Sequence, residues 1–233
     1  MKKPTVDYRD FRLNRLRTPE FSHVQYLLFW PIYGLAFLIL EREPARVYHV
    51  VECALDAQIP FCEYFVIPYY LWFVYLGVMI VYSFFWDVPA FRDYMRFTMI
   101  TYIITCIVYI VWPSCQELRP ETFARENFCT AIVRGLYVFD TNTNVCPSLH
   151  VIGSAAVLFA SWNSKAFSSR GWRILMTVLA VLISSSTVFL KQHSILDIAA
   201  AAVVCALAYP LVFSSRARRV WARMDCGKAK TAV

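Results

Sequence analysis

Metal-binding signatures are missing from this chain. It has four histidines and eight cysteines but no Cys-x-x-Cys and no His-rich spacing, so nothing suggests zinc, and no cofactor is implied. It also lacks an internal repeat and a low-complexity tract, which excludes repeat architectures and leaves no sign of a second domain. Residues 1–23 carry Lys2, Lys3, Arg9, Arg12, Arg15 and Arg17 without a compact apolar core or a small-residue cleavage site. No removable signal peptide is expected, and the first apolar span serves as its own anchor. Acidic residues are few, 16 against 23 basic, for a net charge of +7. The basic excess collects in the tails rather than interleaving with aromatics on a folded face, so nucleic acid is not an expected partner.

What the chain has in abundance is hydrocarbon. An apolar content of 59% and a mean hydropathy of +0.49, arranged in long blocks, identify a membrane protein. Six nearly charge-free blocks, at 24–40, 64–86, 97–114, 147–162, 174–190 and 195–213, approach the ~20 residues that a bilayer core requires. Several carry Trp or Tyr near their ends, as interfacial belts do. The 1–23 tail, the 87–96 and 163–173 loops and the 214–233 tail hold 6, 2, 3 and 6 Lys/Arg, together 17 of the 23. These four segments are expected in the cytoplasm, with the 41–63 and 115–146 loops and the Lys191-to-Ser194 junction outside. The expected fold is therefore all-α: one domain over 1–233, a six-transmembrane-helix bundle over 24–213 with two basic cytoplasmic tails. The expected location is the plasma membrane.

In the 41–63 loop an amphipathic surface helix is expected over about Ala45–Ala57. Asp56 is expected to be a solvated loop carboxylate, with a polar-site role as the alternative. Cys53, Cys62, Cys115, Cys129 and Cys146 fall on the outer side, where a disulfide is permitted; a bridge tethering Cys146 and unpaired apolar packing are equal alternatives.

The informative stretch is Ser186-Thr187-Val188-Phe189-Leu190-Lys191-Gln192-His193-Ser194-Ile195-Leu196-Asp197, a seam between two apolar runs where ionisable groups are costly to bury. On a helix, His193 and Asp197 share a face, so the carboxylate can accept a hydrogen bond from one ring nitrogen and leave the other free to act. At the outer mouth of the fourth span lies Asn144-Val145-Cys146-Pro147-Ser148-Leu149-His150. Pro147 suits a first helical turn, whose free N–H groups, positive dipole end and Ser148 hydroxyl can meet a phosphate, with His150 just beyond. Arg119 can supply a planar fork for phosphate oxygens, with Arg125 and Arg134 as weaker candidates. Lys191 either helps to bind phosphate or snorkels to the interface. Loop charge alone brings all these pieces to one face.

These residues resemble the type 2 phosphatidic acid phosphatase superfamily over roughly residues 64–213. Arg119-Pro120 looks like the end of that family's first motif, Pro147-Ser148-Leu149-His150 like its second, and Ser186 through His193 to Asp197 like its third. Trp112 stands at the first motif's lysine, Leu149 at the second's glycine and Thr187 at the third's arginine. The motif style is similar to the branch containing inositolphosphoryl-ceramide synthases. The resemblance implies a metal-independent lipid phosphatase acting on a phosphatidic-acid-like or isoprenyl phosphate. His193 is then the nucleophile, Asp197 its orienting partner, His150 the acid and base, and Arg119, Lys191 and Ser148 hold the phosphate. The implied partner is a membrane lipid. Headgroup transfer on the same residues is the alternative. A non-catalytic scaffold or transporter is the reading from another class, against which the intact His150, His193 and Asp197 speak.

Overall fold

The computed structural model describes residues 4–42 and 47–230, with 226–230 given as helical backbone. The described residues are almost entirely helical: α1 (Phe29–Arg42), α2 (Val66–Trp86), α3 (Val88–Val111), α4 (Phe128–Phe139), α5 (Leu149–Asn163), α6 (Arg170–Phe189), α7 (Ile195–Phe213) and α8 (Ser215–Lys230). A two-stranded parallel ladder pairs β1 (His49–Val50) with β2 (Ser114–Cys115).

Among the described residues, five helical segments are long and apolar enough to cross a membrane: Ser22–Arg42, Glu63–Trp86, Val88–Val111, Arg170–Phe189 and Ile195–Phe213. That is one fewer than the six expected. The missing one is the 147–162 block, which forms α5, a helix of 15 residues. At 1.5 Å per residue it is about 22 Å long, short of the ~30 Å hydrocarbon thickness. Its composition shows how it is used instead. Gly153, Ser154, Ala156, Ala160 and Ser161 are buried, and helices α2, α3, α6 and α7 all pack against it. Small side chains let neighbouring backbones approach closely where no hydrophobic drive separates helix from lipid. On the outer helices large apolar residues remain exposed, among them Phe73, Val78 and Val81 on α2 and Val203, Leu207 and Leu211 on α7. Such side chains are in place against acyl chains.

The 87–96 segment, expected as a loop, is the first turns of α3. Only Asp87 separates α2 from α3, and its carboxylate accepts the Ala90 N–H at 3.2 Å as the N-cap. The charges that suggested a solvated loop are paired on the helix. Arg96, 6% exposed, donates to both carboxylate oxygens of Asp225 at 2.7 Å, Arg92 reaches the same carboxylate at 3.3 Å, and Arg218 lies 3.6 Å from Asp93. These contacts dock α8, the expected C-terminal tail, onto the bundle. The N-terminal segment packs at the same end: the Thr5 N–H donates to the Phe85 carbonyl at 2.8 Å, and the Tyr8 hydroxyl bonds the Phe84 carbonyl at 2.8 Å. The Ser164 hydroxyl reaches Asp87 there at 2.5 Å. The described residues of all four basic segments therefore gather at one end of the bundle.

The opposite end is covered by two connecting segments. Residues 43–46, which include the first two positions of the expected Ala45–Ala57 helix, lie outside the described residues. The remainder is not that helix: β1 pairs with β2, and a single 3-10 turn spans Asp56–Gln58. Backbone pairing with Ser114–Cys115 replaces the expected helix, and the Val51 N–H extends it by donating to the Cys115 carbonyl at 2.8 Å. The long 115–146 connection contains α4, started by a reciprocal capping box between Asn127 and Thr130. Cys53, Cys62, Cys106, Cys115, Cys129, Cys146 and Cys205 are free thiols.

Candidate active site

α6 stops at a turn that aims the seam residues. Lys191 adopts a left-handed backbone with φ 54°, the Lys191 N–H donates to Val188 O at 3.1 Å, and the Gln192 N–H donates to Thr187 O at 2.9 Å. This is a Schellman closure, normally completed by glycine; a residue with a Cβ there costs ~1–2 kcal/mol. The Lys191 side chain offsets the strain by anchoring the turn. Its ammonium donates to the backbone carbonyls of Asp56 and Ile59, each at 2.6 Å. Burial pushes the Lys191 ammonium below its usual range, against the opposing pull of Asp56.

Three residues later Ser194 caps α7. Its hydroxyl accepts the Leu196 N–H at 3.1 Å, and its own N–H donates to Asp197 Oδ2 at 3.0 Å. That same oxygen faces His193 Nδ1 at 3.0 Å. Asp197 is fully buried and His193 is 8% exposed. The carboxylate thus fixes the ring and leaves Nε2 as the nitrogen available for chemistry.

His150, on the first turn of α5, is held by aromatic rings. Tyr69 and Trp72 of α2 flank it with centroids at 4.2 and 4.4 Å, and the His193 ring lies 6.1 Å away. Trp72 can come so close because position 153 is glycine. A Cβ at Gly153 would meet Trp72 Cζ2 and Nε1 at 2.9 Å and the Tyr102 hydroxyl at 3.0 Å. Gly153→Ala is expected to overpack this contact and lower stability by about 1–3 kcal/mol, read as a lower unfolding midpoint in detergent.

Ser148 stands at the N-cap position of α5, makes no side-chain capping bond and is fully buried; its N–H donates to the Asp197 carbonyl at 3.3 Å. The Ser148 hydroxyl and His150 Nε2 are both buried without a protein partner. The structure therefore brings Ser148, His150, His193 and Asp197 together, with Lys191 on the adjoining turn. Arg119 is engaged differently from the expectation of a free fork. It lies over the Tyr137 ring at 4.5 Å and donates to the carbonyls of Tyr137, Asp140 and Thr141 at 3.0, 2.6 and 2.9 Å, closing the end of α4. Its Nε is buried without a partner, and burial pushes the guanidinium below its usual range. Arg125 and Arg134 are committed to Glu63 and Glu126. Trp112 stacks on His49 with centroids 5.1 Å apart, and the Thr187 hydroxyl donates to Ser184 O at 2.8 Å, so neither position brings a charge.

Tyr69 and Gln192 were not anticipated at the site, and Asp56 takes its alternative, polar-site reading. Tyr69, flanking His150, donates to Asp140 Oδ2 at 2.5 Å, and Gln192 Nε2 reaches the same oxygen at 3.2 Å. Asp56 is 2% exposed rather than solvated. Burial pushes its carboxyl up, but the hydrogen bonds from Ser194, Ile195 and Cys53 outweigh that and hold it below the usual carboxylate range. Among the described residues no group of three His, Cys, Asp or Glu is placed to hold a metal ion. A cavity of about 640 Å³ lies at the opposite end, between Asp87, Arg92, Arg96, Ser164 and Arg218, away from these histidines.

Fold and site together define a polytopic helical membrane protein with a buried His/His/Asp cluster at one end of the bundle. A family model described as the PAP2 superfamily matches residues 93–221, more than half of the chain, and the chain belongs to that superfamily. Membership supports a catalytic, phosphatase-type function. No curated protein and no solved structure matches the chain.

Proposed function

We propose that the chain is a single-domain lipid phosphatase that hydrolyses a phosphatidic-acid-like or isoprenyl phosphate monoester or pyrophosphate through a phosphohistidine. The observation that carries this reading is the 3.0 Å pairing of His193 Nδ1 with the buried Asp197, beside a His150 ring whose Nε2 has no protein partner. The Nε2 lone pair of His193 attacks phosphorus as the bond to the lipid oxygen breaks, and Asp197 stabilises the charge that develops on the imidazole. The electron pair leaves with the lipid oxygen, which takes its proton from protonated His150. Neutral His150 then accepts a proton from the water that attacks phosphorus, the P–N bond breaks, and phosphate departs. The Ser148 hydroxyl, the remaining ammonium hydrogen of Lys191 and the Arg119 Nε–H hold the phosphoryl oxygens.

Uncharged Thr187 and the carbonyl bonds of Arg119 and Lys191 favour a second reading, in which a singly charged phosphodiester is the donor and an alcohol replaces water. The gathering of the basic segments at one end supports placing both termini in the cytoplasm and this site on the outer side of the plasma membrane. Purified full-length protein, given a panel of lipid phosphomonoesters, pyrophosphates and diesters with and without alcohol acceptors, should release phosphate in excess EDTA. Mass spectrometry of the products distinguishes hydrolysis from transfer. A chain inert towards the whole panel would sink both readings, and activity abolished by EDTA would sink the metal-free step.

A further inference from the structure

We propose that Asp56 is a positioning residue for the reaction: from a segment outside the family-matched region it sets the geometry of the His193–Asp197 pair. This rests on the function proposed above and deepens it. Asp56 Oδ2 accepts the Ser194 hydroxyl at 2.6 Å and the Cys53 N–H at 2.8 Å, and Oδ1 accepts the Ile195 N–H at 2.9 Å. Ser194 and Ile195 are the two residues that follow His193. Asp56 therefore grips the chain between the nucleophile and its carboxylate partner, by one side chain and one backbone amide.

The consequence for the reacting pair is direct. The Ser194 N–H donates to the same Asp197 oxygen that holds His193 Nδ1, so a displacement of Ser194 moves the acceptor that fixes the imidazole. The first amides of α7 also form the positive end of a helix dipole, where a buried carboxylate is electrostatically favoured. The loop bearing Asp56 is itself fixed to the site from two other directions. Lys191 binds the carbonyls of Asp56 and Ile59, and the Cys62 N–H donates to Phe189 O at 3.0 Å. The His193 turn and the 53–62 loop form a closed circuit of hydrogen bonds, and Asp56 closes it at the residue next to the nucleophile. Asp56 touches no reacting atom; it acts through Ser194.

A helix cap of purely structural value would change stability and leave the chemical step alone, which separates the two roles. Asp56→Asn keeps the side-chain size but places an amide N–H₂ against either the Ser194 hydroxyl or the Ile195 N–H. The expected result is a fall in kcat of about 10–100-fold with KM changed by less than about 3-fold, since small misalignments of a reacting group act on the rate. The measurement uses full-length protein in mixed micelles with the lipid that the panel identifies, and reports the unfolding midpoint beside kcat. Ser194→Ala is expected to act through the same route, so the double variant should fall no further than the worse single one. Folded Asp56→Asn with wild-type kcat would overturn the inference, as would independent, multiplicative effects of the two substitutions. A midpoint lowered with kcat unchanged in the folded fraction would reduce Asp56 to a cap. Wild-type protein inactive on every lipid removes the proposed function and this role with it, whereas active wild type with unaffected Asp56→Asn removes only the latter.

Discussion

His193→Ala should abolish phosphate release, lowering kcat by at least about 10⁴-fold while the protein remains folded and membrane-inserted. The expectation follows from the position of the ring. Nδ1 is committed to Asp197 at 3.0 Å, which orients Nε2 and leaves it as the one histidine nitrogen in the site backed by a buried carboxylate. His150 has no such partner; its ring lies between Tyr69 and Trp72 and is suited to passing a proton rather than carrying a phosphoryl group. Removing the His193 imidazole leaves Asp197 the Ser194 N–H, so the start of α7 keeps its cap and the fold should survive. The check is a single-turnover assay with a ³²P-labelled lipid. Wild type should form an acid-labile, base-stable phosphoenzyme, and the variant none. His150→Ala should form the phosphoenzyme slowly, because the leaving oxygen then lacks its proton donor, and should also hydrolyse it slowly, because no base takes the proton of the attacking water. A His193→Ala protein with undiminished turnover would end the phosphohistidine mechanism.

The parts of this site that lie close together in sequence were legible before the fold was known, although helical spacing is not what joins them. His193 precedes Ser194, the extended N-cap of α7, so the capping turn and not a shared helix face brings its ring to Asp197, and Pro147 lies just before the Ser148 N-cap instead of in the first turn of α5. Partners that come from distant segments carry no local signal. Asp56 meets Ser194 across 138 positions, and a lone carboxylate before a proline turn reads as solvated. Tyr69 and Trp72 were hidden by the same logic, since aromatics near the start of an apolar span are expected at an interface whether or not they flank a histidine. The errors of fold have related causes. A charge-free run of adequate composition suggests a span, yet α5 is a short helix rich in small residues and surrounded by other helices. Conversely, Arg92, Asp93 and Arg96 suggest a loop because their partners, Asp225 and Arg218, are more than a hundred residues away.

Asp197→Asn separates charge from geometry in the same pair, and the pattern of contacts predicts that charge dominates. Both N–H hydrogen bonds, from His193 Nδ1 and from the Ser194 N–H, converge on Oδ2, whereas Oδ1 accepts no N–H or O–H and the Cys146 thiol is the carboxylate's other polar neighbour. An asparagine can therefore place its carbonyl oxygen where Oδ2 is and its amide group where Oδ1 is, retaining both contacts. What it cannot supply is the negative charge that stabilises the imidazole as it becomes cationic on forming the bond to phosphorus. In a fully buried position that charge is little screened, so kcat should fall by about 10³–10⁴-fold with KM and the unfolding midpoint close to wild type. Asp197→Ala differs in kind: it strands the buried Ser194 N–H, costs about 1–3 kcal/mol of stability and releases the ring. Comparable loss of kcat in both variants, with stability lost only in the alanine protein, would identify charge as the larger contribution. Near-normal kcat in Asp197→Asn would instead mean that holding the ring is all Asp197 does.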